Sequence, residues 1–120
     1  TWAAATAREH GIHLLAGSMI EAAGEHRYNT SCLYAPDGDR IAAYRKVHLF
    51  DVSVPGAEFA ESRTVSPGDA VVVAPVPPLE LGLAICYDLR FAEEFRAHAR
   101  LGHAQGQRGF ASQPMHHLGG

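Results

Sequence analysis

The 120-residue sequence has no apolar run near the roughly 18–20 residues of a bilayer span, so nothing in it reads as a membrane helix. It also lacks a surplus of positive charge: ten Lys and Arg stand against thirteen Asp and Glu, for a formal net charge of -3. That balance leaves no electrostatic footprint for nucleic acid or an anionic membrane. Cysteine is scarce. Two thiols, Cys32 and Cys86, cannot make a disulfide-dense secreted scaffold; a reducing, cytoplasmic compartment suits them better, with an organelle as the alternative. Thr1 to His10 has neither the apolar core of a signal peptide nor the basic, serine-rich character of a transit peptide. No internal repeat occurs. Eight histidines are present, yet no Cys/His spacing matches a zinc site, and His116-His117 sits in polar sequence, so neither metal nor cofactor is expected. Gly17-Ser18 lacks the further glycines and the lysine of a phosphate loop.

What is there is the composition of one globular domain, with 47% hydrophobic and 19% charged residues. Alanine-rich Trp2–His10, closed by Gly11, predicts a helix end, and Ile12–Ile20 a strand. Tyr28–Tyr34 and Arg40–Tyr44 flank Ala35-Pro36-Asp37-Gly38-Asp39, which is turn chemistry for a hairpin. Residues 51–69 lose all periodicity and carry Pro55, Gly56, Pro67 and Gly68, so they are predicted as one long loop. Val71-Val72-Val73 restarts a strand that Pro75-Val76-Pro77-Pro78 interrupts. Glu80–Cys86 then reads as a strand covered on both faces. Arg90–Leu101 suits a helix with Phe91, Phe95 and Ala99 on one face; beyond Gly102 the pattern stops, and residues 102–120 are predicted as an irregular tail. The order of elements points to a layered α/β or α+β fold.

Cys86 is the most informative residue. It stands between an apolar strand candidate and the polar Tyr87-Asp88-Leu89-Arg90, where a thiol would be held rigidly beside backbone amides able to stabilise an oxyanion. Position alone favours the simpler reading, a small core hydrophobe, which is a common fate of cysteine. Lys46, closing Ile41-Ala42-Ala43-Tyr44, is by itself most simply a solvated charge. An ammonium beside a thiolate nevertheless has a specific use, since it favours the ionised sulfur and can neutralise a developing oxyanion.

Three ordered blocks change the weighing: Tyr44-Arg45-Lys46-Val47-His48-Leu49-Phe50-Asp51; Phe59-Ala60-Glu61-Ser62 followed by Ser66-Pro67-Gly68-Asp69; and Leu81-Gly82-Leu83-Ala84-Ile85-Cys86-Tyr87-Asp88-Leu89-Arg90-Phe91. Together they resemble the carbon–nitrogen hydrolase, or nitrilase-like, superfamily, most closely its omega-amidase branch. The match extends upstream, less sharply, through Gly17-Ser18 and Tyr28-Asn29-Thr30. The resemblance implies an α/β fold, part of an α-β-β-α sandwich, over residues 1–101, with 102–120 divergent. It implies a Glu–Lys–Cys triad that hydrolyses an amide or nitrile through a thioester, without a cofactor. Cys86 would be the nucleophile and Lys46 its cationic partner. Glu61 would be a second, site-organising glutamate, and the Tyr87 backbone amide would help hold the oxyanion. Arg90 and Glu93 fit the structural turn and helix start after the cysteine, with an ion pair or a cap as the simpler role. The partner implied is a small-molecule amide such as 2-oxoglutaramate, and the assembly a homo-oligomer.

The departures from the family pattern also carry expectations. The family's general-base glutamate falls upstream of Thr1, and Glu9, Glu21 and Glu25 lie in the wrong segments to replace it. Gly102–Gly120 does not read as the family's next core strand. The sequence therefore leaves two functional readings open: a cysteine amidohydrolase met here in part, or a catalytically inactive, partner-binding remnant. On either, Leu81, Leu83 and Ile85 are expected to be incompletely covered. A thiol-redox module is a weaker third reading, because no C-x-x-C motif is present.

Overall fold

The computed structural model describes residues 1–105 and 111–114. Helix α1 (Trp2–His10) opens the chain, capped by Thr1 Oγ1, which accepts the Ala4 N–H at 3.1 Å, and closed by Gly11 at φ 62°. Its small Ala3 and Ala7 let it lie close on Cys32 and Tyr34. Three antiparallel strands follow as one sheet: β1 (Leu14–Ala23), β2 (His26–Tyr34) and β3 (Arg40–Arg45), in the order β1-β2-β3. The β2–β3 turn is built as its residues predict, with Asp37 Oδ1 accepting the Asp39 N–H at 2.9 Å and Gly38 at φ 90°.

The predicted loop over 51–69 is in part regular. A hairpin of β4 (Asp51–Val54) and β5 (Ala57–Ala60) turns at Pro55-Gly56, and a 3₁₀ turn, Glu61–Arg63, follows it. Four-residue strands that expose most of their side chains leave no alternating pattern to read, which is why periodicity missed them.

The third sheet has the order β7-β6-β8, from β6 (Ala70–Val76), β7 (Leu79–Gly82) and β8 (Ala111–Pro114). Pro75 does not interrupt β6. The chain turns at Pro77-Pro78, and β7 returns antiparallel with Val76 opposite Leu79. Burial on both faces is found in β6, through Val71–Ala74, and in the second half of β2, Thr30–Tyr34, not in the predicted Glu80–Cys86. From Leu83 to Ile85 burial alternates, with Leu83 and Ile85 inward and Ala84 outward, so this stretch is covered on one face only. Leu83 and Ile85 are nevertheless well covered, joining Leu33, Ala42, Tyr44, Val72 and Ala74 in the principal core with Leu81 packed against it. Exposed large apolar residues occur on β1, at Leu15, Met19 and Ile20, and also elsewhere, among them Trp2, Phe59, Leu79 and Leu89.

Helix α2 (Ala92–Gln105) runs four residues past its predicted end, and β8 pairs with β6, so the tail predicted as irregular contains two regular pieces. His116-His117 lies outside the described residues. The buried stripe of α2 is also not the predicted one. Glu94 and Ala97 face inward, while Phe95 and Ala99 are exposed. A buried carboxyl needs polar partners, and those are supplied by the network described below. No helix among the described residues is long and apolar enough to cross a membrane.

Candidate active site

Lys46 follows directly on β3, and its backbone is tied at both ends. Its N–H donates to the Asn29 carbonyl and its carbonyl accepts the Gly68 N–H, each at 2.8 Å. Gly68 permits this approach, because a Cβ there would lie 2.2 Å from the Arg45 carbonyl oxygen. Lys46 is 1% exposed, and a buried ammonium requires a counter-charge. Glu61 provides it. Carried on the 3₁₀ turn after β5, its Oε1 accepts from Lys46 Nζ at 2.6 Å and from the Phe50 N–H at 2.8 Å. Burial alone would push the Glu61 carboxyl up, but the Lys46 and Phe50 hydrogen bonds, the Lys46 charge and the Asn29 side chain outweigh it. Its pKa lies below the ordinary value, so Glu61 is anionic at neutral pH.

Cys86 opens a second 3₁₀ turn, Cys86–Arg90, with φ 51°. A non-glycine residue in the left-handed region costs about 1–3 kcal/mol and persists where the surroundings over-determine it. Here the turn is held by Asp88, whose Oδ2 accepts the Ile85 N–H at 2.9 Å. The Cys86 thiol is exposed, whereas Cys32 is buried. Cys86, Lys46 and Glu61 line one open cleft of ≈ 580 Å³, together with Asn29, Phe50 and Phe59. Residues 40 positions apart in sequence thus line one cleft, as Tyr44 of β3 and Ile85, which precedes the Cys86 turn, belong to the same core cluster.

Behind this cleft lies a polar network that the sequence reading did not assign. Tyr44, Asp88 and Glu94 are fully buried. The Tyr44 hydroxyl donates to Asp88 Oδ2 and lies 2.7 Å from Glu94 Oε1, while the Val47 N–H donates to Tyr44 Oη at 3.2 Å. Asp88 Oδ1 accepts the His48 backbone N–H at 2.9 Å and meets His48 Nδ1 at 2.8 Å; Nδ1 is also 3.0 Å from Glu94 Oε2. One phenolic proton cannot serve two carboxylates, so the Tyr44–Glu94 contact requires a proton on Glu94. Burial, and then the neighbouring Asp88 charge, accordingly push Glu94 up to about 8. Burial and both acid partners move the Tyr44 phenol far above its usual range. Phe91 stacks on the His48 ring at 3.8 Å between centroids and closes the network on that side. His48, Asp88 and Glu94 each bring one potential metal-ligand atom within 4.8 Å, but the Asp88 oxygens are already taken by the Ile85, His48 and Tyr44 donors, so the cluster suits hydrogen bonding better than a cation.

The remaining candidates fall elsewhere. Tyr87 turns its ring into the aromatic group, edge-on to Phe50 at 5.0 Å and to Phe91 at 5.4 Å, while its backbone stays in the Cys86 turn. Arg90 is exposed, outside the cleft, and makes no ion pair with a described residue. Glu93 is exposed in the first turn of α2. Glu21 is engaged by Arg45 Nε at 2.9 Å and by Thr30 at 2.8 Å, away from Cys86. The signal for the missed network was present in the motif blocks, which contain Tyr44, His48 and Asp88. Only Glu94 lay beyond them, on a helix face whose hydrophobic pattern pointed the other way.

A mixed helix-and-sheet fold that presents a thiol on a left-handed turn beside a buried lysine–glutamate pair defines a class, and comparison with known proteins identifies it. The family model described as carbon-nitrogen hydrolase matches residues 1–106, and the chain belongs to that family. It is 46% identical over 97 residues to the omega-amidase NIT2 of Homo sapiens, covering 80% of this chain and 35% of that protein. It is 44% identical over 98 residues to the Danio rerio omega-amidase NIT2, again covering 35% of the relative. Among solved structures, the C. elegans NitFhit protein superposes with a TM-score of 0.72 at 33% identity, over 81% of this chain and 25% of that one. Saccharomyces cerevisiae Nit3, of the nitrilase superfamily, gives 0.71 at 35% identity, over 82% and 34%. The chain therefore spans about a third of the length of the curated relatives it matches.

Proposed function

We propose that this segment carries the nucleophile half of a cysteine amidohydrolase acting on the omega-amide of a short dicarboxylate, such as 2-oxoglutaramate. The observation that carries the reading is the single cleft in which an exposed Cys86 thiol shares walls with a buried Lys46 held by Glu61. A cysteine, a fixed cation and an anion that keeps the cation in place are the parts that thioester chemistry needs. Cys86 Sγ, as thiolate, attacks the amide carbon, and the C–N bond breaks as the amide nitrogen takes up the proton lost by the thiol and leaves as ammonia. Water then cleaves the thioester to release the acid and return the thiol. Lys46, with the Tyr87 backbone amide, stabilises the oxyanion in both steps. Glu61 holds the ammonium by its hydrogen bond and is not free to act as the base, since its Oε1 already accepts two donors. The proton acceptor is the family's glutamate, which the resemblance places in a segment upstream of Thr1.

Similarity to the omega-amidases NIT2 supports the substrate class, and an amidase of Nesterenkonia sp. AN1 at 30% identity has a structure showing Michael addition of acrylamide at its active site cysteine. The two unpaired thiols fit a cytoplasmic setting. The test is ammonia release from 2-oxoglutaramate and succinamate by the protein that carries this segment. Cys86→Ala should abolish release, and Lys46→Met should reduce it by roughly 10²-fold or more, as loss of an oxyanion donor does. Unchanged hydrolysis in Cys86→Ala would remove the nucleophile assignment. Turnover of nitriles without amides would move the substrate class.

A further inference from the structure

The cleft contains one buried polar atom that neither the lysine–glutamate pair nor the backbone uses. Asn29 sits in β2 opposite the end of β3, its carbonyl accepting the Lys46 N–H at 2.8 Å, so its side chain is registered beside the lysine. That side chain lines the cleft with Cys86 and Glu61. Its Oδ1 is buried and has no hydrogen-bond partner among the described residues. Buried acceptors are almost always satisfied, and one left open beside a reactive group is a candidate contact for a ligand. The cleft's other polar side chains are Ser18, Lys46, Glu58 and Glu61. Lys46 only donates, Glu61 Oε1 already accepts two donors, and Glu58 Oε1 is held by Arg63 at 3.1 Å; Ser18 offers a hydroxyl, but its oxygen is not a buried acceptor left without a partner as Asn29 Oδ1 is.

We propose that Asn29 is a specificity residue whose Oδ1 accepts a hydrogen bond from the N–H₂ of a primary carboxamide held at Cys86. The proposal rests on the amidohydrolase reading and adds a substrate contact to it. A neutral acceptor at this place reads chemistry that the lysine cannot. A primary amide offers it an N–H, whereas the carboxylate product and a nitrile offer none, so the same contact favours substrate over product and amide over nitrile.

The test compares alkylation of Cys86 by acrylamide, which carries the N–H₂, with alkylation by N,N-dimethylacrylamide, which does not. Rates are read by peptide mass mapping and referenced to the ratio for glutathione, which removes the intrinsic reactivity difference. Wild-type Cys86 should favour acrylamide by about 2- to 10-fold beyond the glutathione ratio, the range for one neutral hydrogen bond. Asn29→Ala should bring the ratio back to that of glutathione, and Asn29→Asp, which keeps an acceptor, should retain the preference. A wild-type ratio equal to that of glutathione overturns the proposal without any variant having to fold. So does an Asn29→Ala variant that slows both reagents equally, because that is the mark of a structural role. The amidohydrolase reading fails separately: it falls if Cys86 is labelled no faster than Cys32 by either reagent, or if Lys46→Met leaves both rates unchanged.

Discussion

Two glutamates that contact the same stretch, Tyr44–His48, have opposite fates. Glu61, at the mouth of the cleft, is held below the ordinary carboxyl range although burial pushes it up; Glu94, behind the cleft, is raised to about 8. The difference lies in their neighbours. Glu61 faces a lysine ammonium and a backbone N–H, whereas Glu94 faces another carboxylate, a phenol and the His48 ring, with His98 Nε2 farther off at 3.8 Å. The front of the site is therefore a charged pair built to hold a cation still, and the back is a proton-sharing clamp built to hold backbone still. Asp88 connects the two. It binds the residue before Cys86 on one side and the residue two past Lys46 on the other, so the spacing of thiol and ammonium is set from behind.

This contrast predicts a graded series. Asp88→Ala should be the most damaging change, because it strips partners from the Ile85 and His48 N–H groups, the His48 ring and the Tyr44 hydroxyl at once. A loss of about 3–5 kcal/mol in urea unfolding is expected, with Asp88→Asn intermediate. If Asp88→Ala costs less than 1 kcal/mol, the back of the site is not a clamp. Tyr44→Phe should cost about 1–3 kcal/mol by the same measurement, since it leaves buried groups unpaired without removing packing.

Glu94→Gln sharpens the comparison through pH. With a folded pKa near 8, raised from an ordinary 4.5, the native state binds more protons than the unfolded chain between those values. The contribution of Glu94 is thus fully present below about pH 4.5 and is lost as pH rises through about 8. Melting curves of the wild type should fall in Tm across that window, and Glu94→Gln, which keeps an amide hydrogen in place of the acid proton, should flatten the slope. An equal slope in both proteins would remove Glu94 as the titrating group. The smallest effect is expected at the rim. Arg63→Ala breaks an ion pair whose side chains are 72% and 63% exposed, and should change stability by no more than about 0.5 kcal/mol.

Much of the front of the site could be read from the chain. Lys46, Glu61 and Cys86 stood out as residue types in ordered blocks, and the structure brings them to one cleft. The Asp37-Gly38 turn and the Gly11 cap were legible for a local reason, since each depends on the conformational freedom of one residue. The back of the site was not legible. Its members come from β3, the following loop, the Cys86 turn and α2, and a pattern scored for apolar periodicity counts Glu94 as a surface residue. The hairpin of β4 and β5 escaped for the opposite reason, being too short and exposed to show a period.

Local chemistry, then, settled what needs only near neighbours: caps, turns and the strand pair β2–β3; the thiol, the lysine and the glutamate were singled out by the resemblance of their blocks to a family. Burial and charge depend on what arrives from far along the chain, and these were decided by tertiary packing. Whether Glu94 keeps its proton, whether Cys86 faces solvent while Cys32 does not, and whether Asn29 Oδ1 has a partner are all set by which strands and helices meet at that edge of the core. Desolvation and Coulomb interaction act through space, and the sequence orders residues only along the chain.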